Sequence, residues 1–197
     1  MQIHVPLKLD ARQRQSLKEL QVTFAAACNA ITPLVQQTRI WNRVALHHLV
    51  YKTLREKFPA LGSQMACNVI YSVSRISRVL YQSPASPFNV IDKPDRPLPL
   101  LRFSENCPVY FDRHTLSLKR GELSMFTMEQ RIHFQLQLGV EQEKAFHQQK
   151  LREIVLNQGP DEEFKLQFTF ALPEDAAPSS GSQNPEVPQY ILIEETH

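Results

Sequence analysis

The stretch MQIHVPLKLDARQRQSLKEL, residues 1–20, decides the kind of fold because its hydrophobic period changes along it. Apolar and polar residues alternate over residues 1–9, which predicts a strand with one buried face. Asp10 follows as a helix N-cap, and Gln13 stands three residues later as its partner in a capping box. The stretch therefore predicts a strand that leads directly into a helix, and hence a fold with both a sheet and helices.

Three amphipathic helices are predicted between residues 10 and 82. The first has apolar residues at spacings of three and four, and we expect it to bend or end near Pro33. The second covers about residues 42–58 and is ended by the turn at 59–62, and the third begins with Ser63 as its cap and runs to about Gln82. The predicted core positions are Leu17, Leu20, Phe24, Ala27, Cys28, Ile31, Leu34, Val35, Leu46, Leu49, Val50, Leu54, Met65, Val69, Val73, Ile76 and Leu80.

The sequence after residue 82 predicts strands in place of long helices. Prolines crowd residues 83–97, and they exclude a helix or an inner strand there. Beyond them the apolar period is two, which is typical of antiparallel strands. The predicted strands are 109–111, 115–118, 123–126, 132–138, and the pair 152–156 and 164–172 across the loop at Gly159. We also expect a short helix at 141–150, a flexible linker at 175–189 and a last strand within 190–197.

If the first strand joins the later strands, the three helices are an insertion into a β-domain. We therefore expect an α+β fold, in which a small antiparallel β-barrel carries a three-helix lobe after its first strand. The expected division is a β-domain of residues 1–9 and 98–172, a helical lobe of residues 10–82, a proline-rich junction at 83–97, and a flexible linker with the terminal strand at 173–197.

Composition argues against several classes of protein. Only 5 of the 197 residues are glycine, and no glycine-rich phosphate loop is found. The three cysteines are far apart and form no C-x-x-C pair, which disfavours a disulfide framework or a zinc site and fits a reducing compartment. Neither a signal-peptide pattern nor an apolar run of about 18 residues is present. We expect a cytoplasmic protein without a membrane span.

Charge is distributed unevenly along the chain. Residues 10–82 contain ten Lys and Arg against three Asp and Glu, whereas residues 135–197 contain four against eleven. The segment between them is close to neutral, with seven against six. This asymmetry predicts that the amino-terminal part faces a polyanion.

Basic, amide and aromatic residues recur on one face of the second predicted helix and one face of the third. Cations bind phosphates, amides contact base or sugar edges, and aromatic rings stack on bases, so this mixture favours nucleic acid over a small acidic ligand. The alternative is a solvated helix face, although such a face normally mixes Glu with Lys. The residues on these faces are Arg43, His47, Tyr51, Lys52 and Arg55, then Gln64, Asn68, Tyr71, Arg75 and Arg78.

No catalytic or metal site is predicted from the sequence. The histidines form no H-E-x-x-H or H-x-E pattern, and no serine lies in a G-x-S-x-G elbow. The adjacent His47 and His48 lack identifiable partner ligands, and the acids at 161–163 are expected in a solvated loop. We therefore expect no enzyme activity, no cofactor and no bound metal.

Three segments of the chain resemble one family of proteins. NRVALHHLVYKTLREKFPALGSQMACNVIYSVSRI, residues 42–76, closely resembles the helical segment of TnpB-type proteins, the RNA-guided nucleases of insertion sequences that are related to type V CRISPR effectors. Residues 7–31 are similar to that family's first strand and helix, and residues 109–136 to its sheet segment. The resemblance covers residues 1 to about 172. It implies a wedge-like β-barrel with an inserted recognition lobe that grips guide RNA and the guide–target heteroduplex.

The resemblance breaks down at the carboxy-terminal end. TnpB-type proteins continue into a RuvC nuclease domain with several separated carboxylates and a zinc ribbon. Here YILIEETH places Glu194 where the first acid is expected and Leu192 where a glycine is expected, and the given sequence then ends. A two-metal nuclease needs several carboxylates, so we expect that this chain does not cut by itself and is a natural remnant, one piece of a split effector, or a truncated form.

The resemblance also gives the basic residues a partner. It implies that the helical residues contact the backbone of a heteroduplex or guide RNA through its A-form shape. It implies that a second set, in the sheet segment, contacts the guide scaffold; that set is Arg113, His114, Lys119, Arg120 and Arg131.

The sequence thus predicts a nuclease-lacking, TnpB-like RNA-binding module in an RNA-guided DNA-recognition complex. Its expected partners are guide or other structured RNA, target DNA, and another protein subunit or a second copy of the chain. Two alternatives remain, a DNA-binding regulator that needs no guide and a protein-interaction subunit of a split effector or a transposition complex.

Overall fold

The computed structural model describes residues 1–171 and 187–194, and these residues form an α+β fold with four α-helices and antiparallel sheets. They divide into two compact units, one of residues 1–20 with 108–171 and one of residues 21–107 with 187–194. The elements are β1 (Gln2–Pro6), α1 (Ala11–Thr38), α2 (Arg43–Lys57), a 3-10 turn (Pro59–Leu61), α3 (Gly62–Gln82), β2 (Leu100–Phe103), β3 (Val109–Phe111), β4 (Leu116–Lys119), β5 (Glu122–Met125), β6 (Ile132–Gln135), α4 (Val140–Gln148), β7 (Leu151–Gln158), β8 (Phe164–Phe170) and β9 (Ile191–Glu194).

The first twenty residues form the predicted strand and helix start. Ile3 and Val5 are buried on one face of β1, and the polar residues between them are exposed. The capping box is present in both directions, because the Gln13 backbone N–H donates to Asp10 Oδ1 at 2.8 Å and the Asp10 backbone N–H donates to Gln13 Oε1 at 3.1 Å. Both backbone groups would otherwise lack a partner at the helix N-terminus, so the cap fixes where α1 begins.

Helix α1 continues through Pro33 to Thr38, so the prediction that it could end near the proline is wrong. Proline cannot donate the backbone hydrogen bond that the Asn29 carbonyl would receive in a regular helix. The Thr32 hydroxyl lies 3.5 Å from that carbonyl and donates to it instead. The Thr32 side chain thus supplies a hydrogen bond in place of the one that the proline cannot donate, and the helix continues.

The second and third helices form as predicted, with two corrections. Asn42 caps α2 by accepting from the backbone N–H groups of Val44 and Ala45. Leu49 is 40% exposed and is not a core residue, because α2 packs through the narrower row of Leu46, Val50 and Leu54. Ser63 does not cap α3, since the helix is assigned from Gly62, whose φ of +71° turns the chain out of the preceding 3-10 turn.

The proline-rich segment of residues 83–99 is tied to the helices of its unit through its backbone carbonyls. Gln36 donates to the Leu98 carbonyl at 2.9 Å, the Tyr81 hydroxyl to the Pro99 carbonyl at 2.8 Å, and Arg39 to the carbonyls of Pro94 and Arg96, each at 2.6 Å. Prolines have no N–H to pair in a ladder, but their carbonyls remain acceptors. The segment is therefore ordered by side chains without joining a sheet.

The first strand pairs with a late strand, as predicted. The four-stranded sheet has the order β1-β8-β7-β3, and all its pairs are antiparallel. Residues 152–156 and 164–170 pair across the loop at Gly159, as expected. The sheet buries Ile3, Val5, Val109, Phe111, Leu156, Leu166 and Phe168.

The predicted β-barrel is not found among the described residues. Strands β4, β5 and β6 form a separate three-stranded sheet, and the four-stranded sheet ends at β3. A turn follows β3, where the Asp112 carboxylate accepts from the backbone N–H groups of His114 and Thr115. After it, β4 pairs with β5 and β5 with β6, so these strands use their ladder hydrogen bonds among themselves and the sheets do not close into a barrel.

A second difference is a strand that the sequence reasoning missed. Strand β2 follows the prolines directly and pairs antiparallel with β9, the predicted terminal strand. The strand lies at a sheet edge, where the proline before it removes no ladder hydrogen bond. Most of the linker predicted at 175–189 lies outside the described residues. Within residues 1–171 and 187–194, no helix combines the length and the apolar composition needed to cross a lipid bilayer.

Candidate nucleic-acid interface

Helix α2 presents basic and aromatic side chains beside its buried row. Arg43, His48 and Lys52 are exposed, while His47 and Tyr51 are half-buried. The rings of His47 and Tyr51 stack at a centroid distance of 4.6 Å and an interplanar angle of 19°. This i,i+4 stack holds two flat side chains in one orientation along the helix surface.

Helix α3 is mostly buried and leaves only a narrow polar stripe accessible. Twelve of its 21 residues are buried, so the accessible ones recur at spacings of three and four. They include Gln64, Cys67, Tyr71, Arg75, Arg78 and Gln82. The stripe contains four of the five α3 residues that the sequence singled out.

The fifth, Asn68, lies in the core. It is 6% exposed, and its amide nitrogen lies 3.6 Å from the sulfur of Met65. An amide in that position is a packing group with a weak acceptor and has almost no surface for a ligand. Its i,i+4 relation to Gln64 placed it on the same predicted face, but the stripe rotates toward Cys67 in the structure.

A cation–π contact joins the two helices. The guanidinium carbon of Arg43 lies 5.1 Å from the centre of the Tyr71 ring. Such a contact attracts the cation to the ring face and leaves the edges of the guanidinium able to donate. It links the α2 residues to the α3 stripe in one surface, which we call the α2–α3 face.

Two hollows on this unit are lined without any acidic side chain. One, of about 360 Å³, is lined by Arg43, Val44, His47, His48, Cys67 and Ile70. The other, of about 490 Å³, is lined by Arg39, Ile40, Trp41, Asn42, Ala45, Arg78 and Gln82. Between residues 39 and 82 the only acid in the sequence is Glu56. The two hollows therefore combine positive charge, amides and rings without a lining carboxylate, and Glu56 is the one acid on these helices, four residues after Lys52.

Arg55 is placed differently from the other cations. It is half-buried, and its Nη1 atom is enclosed with no hydrogen-bond partner among the described residues. Burying an N–H of a charged group without an acceptor costs folding free energy. Arg55 therefore has an unused donor that an acceptor could satisfy.

Sequence reasoning missed part of this surface. Trp41 is half-buried, its ring lies 5.3 Å from that of Tyr81, and it lines the larger hollow with Asn42 and Gln82. The sequence could have indicated this residue, because it is the single tryptophan and lies between two predicted helices, next to a cap residue. Arg39 lines the same hollow, but its guanidinium is engaged by two backbone carbonyls.

The sheet residues that the sequence singled out belong to the other unit. Lys119 and Arg120 stand at the β4–β5 hairpin turn, and Arg113 and His114 in the turn after β3, all exposed. Arg131 has a structural role, because it donates to the hydroxyl and carbonyl of Ser124 at 2.8 and 3.0 Å and to the His114 carbonyl at 3.2 Å. The Arg131 side chain thus links the start of β6 to β5 and to the turn before β4.

Burial keeps the side chains of Cys28, Cys107 and Tyr81 in their neutral forms. Burial raises the pKa of the Cys28 thiol well above its ordinary value, with nearby Cys107 adding to the rise, and burial raises the pKa of Cys107 to about 12. Burial also raises the pKa of Tyr81. A thiol acts as a nucleophile or metal ligand only as the thiolate, so neither cysteine is activated.

The one described acid that the resemblance singles out is paired. Glu194 Oε1 accepts from Arg102 Nε at 2.8 Å, across the β2–β9 pair. Among the residues that the structure describes, no group of three or more His, Cys, Asp and Glu is arranged to hold a metal ion. No protein-family model matches the chain, and no curated protein matches it significantly.

Proposed function

We propose that this chain is a TnpB-like RNA-binding module that acts in RNA-guided DNA recognition and binds without cutting. The observation that carries the proposal is the α2–α3 face, on which cations, amides and aromatic rings lie together and whose two hollows are lined by no acidic side chain. In this proposal α1, α2 and α3 form a recognition lobe inserted after the first strand of a wedge-like β-domain.

The chemistry of the face suits a nucleic-acid backbone better than a protein partner. Arginine and lysine bind phosphate oxygens, and the stacked pair of His47 and Tyr51 offers a flat surface to an unpaired base or a sugar. Stacking on an unpaired base and contacts to the phosphate backbone are typical of proteins that bind structured or single-stranded RNA. This favours a structured RNA or an RNA–DNA duplex as the ligand.

Glu194 supports the assignment of binding and not cleavage. A carboxylate that holds a catalytic metal must be free to ligate it, whereas this one is neutralised by Arg102. In the proposal, β9 is the counterpart of the first RuvC strand, used here to pair with β2.

The proposal is tested by the salt dependence of RNA binding. The purified protein is titrated with its copurified RNA, and with a matching RNA–DNA heteroduplex, between about 50 and 300 mM salt. For about six phosphate contacts, log K should fall with log salt at a slope of roughly −4 to −5. A double variant, Arg43→Gln with Lys52→Gln, should reduce the magnitude of the slope by about 2.

The matched control removes the same charge elsewhere. Arg12 and Lys18 are exposed on the first turns of α1, and neither is among the residues of the α2–α3 face. The double variant Arg12→Gln with Lys18→Gln should therefore leave the slope within about 0.5 of the wild-type value. Equal effects of the two double variants, or a slope near zero, would refute the proposed face. Binding of DNA duplex as tight as that of RNA would favour a regulator that needs no guide.

A further inference from the structure

One hollow of the other unit lies between the β4–β5 hairpin, α4 and strands β7 and β8. Its volume is about 550 Å³. Small-molecule sites commonly have volumes of about 300 to 1,000 Å³, so this hollow is large enough for a compact organic ligand. None of its lining residues belongs to the α2–α3 face.

The floor of this hollow is apolar and well supported. Phe146 of α4 contacts Phe168 and Phe170 of β8 edge to face, with centroid distances of 4.9 and 5.1 Å. These contacts fix α4 over the sheet and hold the floor in shape. The apolar lining residues are Leu116, Leu118, Leu138, Phe146, Leu151, Ile154 and Phe168.

The charged residues that line the hollow are mostly positive. Arg113 and Arg120 contribute two guanidiniums, Glu143 contributes one carboxylate, and His147 also lines the hollow. Two positive charges against one negative charge leave a surplus of one. A ligand with a single negative charge would balance it.

The backbone at Arg120 gives an independent reason to assign this side chain a role. Arg120 and Gly121 connect β4 to β5 with φ values of 51° and 77°, so both central residues of the hairpin turn have positive φ. Asn, Asp or Gly is preferred at the first of these positions, and arginine there carries a conformational cost. The turn alone does not explain the arginine, whereas the hollow that its side chain lines does.

Arg113 is held at the hollow by the turn in which it lies. Asp112 Oδ1 accepts from the backbone N–H of His114 at 2.9 Å and from that of Thr115 at 3.0 Å, which closes the chain around Arg113. The two arginines thus come from two separately fixed turns. An ordered backbone at both arginines removes part of the entropy cost of binding an anion there.

We propose that this hollow binds a small amphipathic monoanion, with its apolar body on the leucine and phenylalanine floor and its carboxylate on Arg113 and Arg120. The site does not depend on the α2–α3 face, because that face belongs to the other unit and shares no residue with the hollow. A carboxylate fits best because an arginine fork pairs with its two oxygens in a bidentate manner.

The test compares two probes that differ in charge alone. Naphthalene-2-carboxylate and its neutral carboxamide are titrated into the full chain at pH 7.5 by calorimetry. The carboxylate should bind at one site with a Kd of about 10 to 100 μM, and the carboxamide about tenfold more weakly. No saturable binding of the carboxylate below about 1 mM, or equal affinity for the two probes, overturns the proposal.

Two variants locate the site. Arg120→Asn removes the cation and places a residue that the turn prefers, so the fold is retained and carboxylate affinity should fall about tenfold. Lys119→Gln removes the same charge from the adjacent exposed residue, which does not line the hollow, and should leave affinity within about twofold. Equal losses in both variants would show a general charge effect and overturn the site.

Discussion

At the scale of single residues, much of the polar chemistry of this chain stabilises structure. Asn29 of α1 makes a reciprocal pair with the backbone of Phe103 in β2, since its amide donates to the carbonyl at 2.9 Å and its Oδ1 accepts from the N–H at 2.7 Å. This pair satisfies both backbone groups of a residue in a short strand. From the sequence alone, a polar side chain of this kind cannot be distinguished from one that binds a ligand.

The substitution Asn29→Asp tests the reciprocal pair. The carboxylate keeps the acceptor but loses the donor and faces the Phe103 carbonyl, so the free energy of unfolding at pH 7 should fall by about 2 kcal/mol. Repulsion from that carbonyl raises the pKa of the introduced carboxyl. Stability should therefore recover as the pH falls toward 4, because the protonated form can donate again.

Urea unfolding at pH 7 and pH 4.5 measures this effect. The control is Asn106→Asp, because Asn106 is exposed and its side-chain oxygen contacts only the Ser104 hydroxyl. A loss in Asn29→Asp that does not shrink between the two pH values, relative to wild type, would contradict the account.

The buried thiols predict a loss of stability in alkali. Their pKa values are raised in the folded protein above the ordinary 9.0, so the folded state keeps protons that the unfolded state releases. Stability is unaffected well below pH 9 and then falls by up to about 1.4 kcal/mol per pH unit for each thiol. Urea midpoints between pH 8 and 10.5 should fall less steeply in Cys107→Ala than in the wild type; equal slopes would refute the contribution.

At the scale of elements, the structure gives Arg131 a role in holding the three-stranded sheet together. The sequence predicted a contact to a guide scaffold, but the guanidinium already donates to two carbonyls and a hydroxyl. A planar fork can make these bonds together, and an ammonium cannot.

Arg131→Lys should therefore lower stability although it keeps the charge. The expected loss is about 1 kcal/mol, kept small because the side chain is exposed. Thermal unfolding measures it, and amide exchange in β5 should quicken. Arg152→Lys is the control, since Arg152 is exposed on β7 with no hydrogen bond to another described side chain; an equal loss there would contradict the role of Arg131.

Periodicity predicted most helices and strands but not how the strands combine into sheets. Residues 1–20 contain their own strand pattern and cap, so β1 and the start of α1 were predictable from local sequence. The barrel was wrong because periodicity does not report which strands pair, and β4, β5 and β6 pair among themselves in a separate sheet. Strand β2 was missed because its partner β9 is about 90 residues away, and no local pattern reports such a pairing.

The candidate site was predictable to a similar extent. Spacing along α2 and α3 identified the accessible cations, because helix geometry fixes which residues share a face. Spacing misplaced Asn68, because most of the surface of α3 is buried and the accessible residues do not keep a strict spacing of four. It missed Trp41, because this residue lies between two helices, where helical spacing does not apply.

At the scale of the whole molecule, charge is segregated by sequence position. Residues 10–82 carry an excess of seven positive charges and residues 135–197 an excess of seven negative charges. The positive excess lies mainly on helices, and the described part of the negative excess lies on α4, β7, the loop after it and β9. Such segregation favours a polyanionic ligand at the helices while keeping the net charge small.

The last prediction is that this chain binds its nucleic acid and does not cut it. The carboxylate that the resemblance puts in the place of the first RuvC acid is Glu194, and its Oε1 accepts from Arg102 Nε at 2.8 Å. Metal-dependent cleavage requires two cations held by several carboxylates in a fixed arrangement, which a single paired glutamate does not supply. The purified protein, with its copurified RNA and a matching labelled duplex, should therefore leave the duplex intact in Mg²⁺ or Mn²⁺. Cleavage that follows the protein through gel filtration and disappears in Glu194→Gln, but persists in the control Glu105→Gln, would prove this prediction wrong.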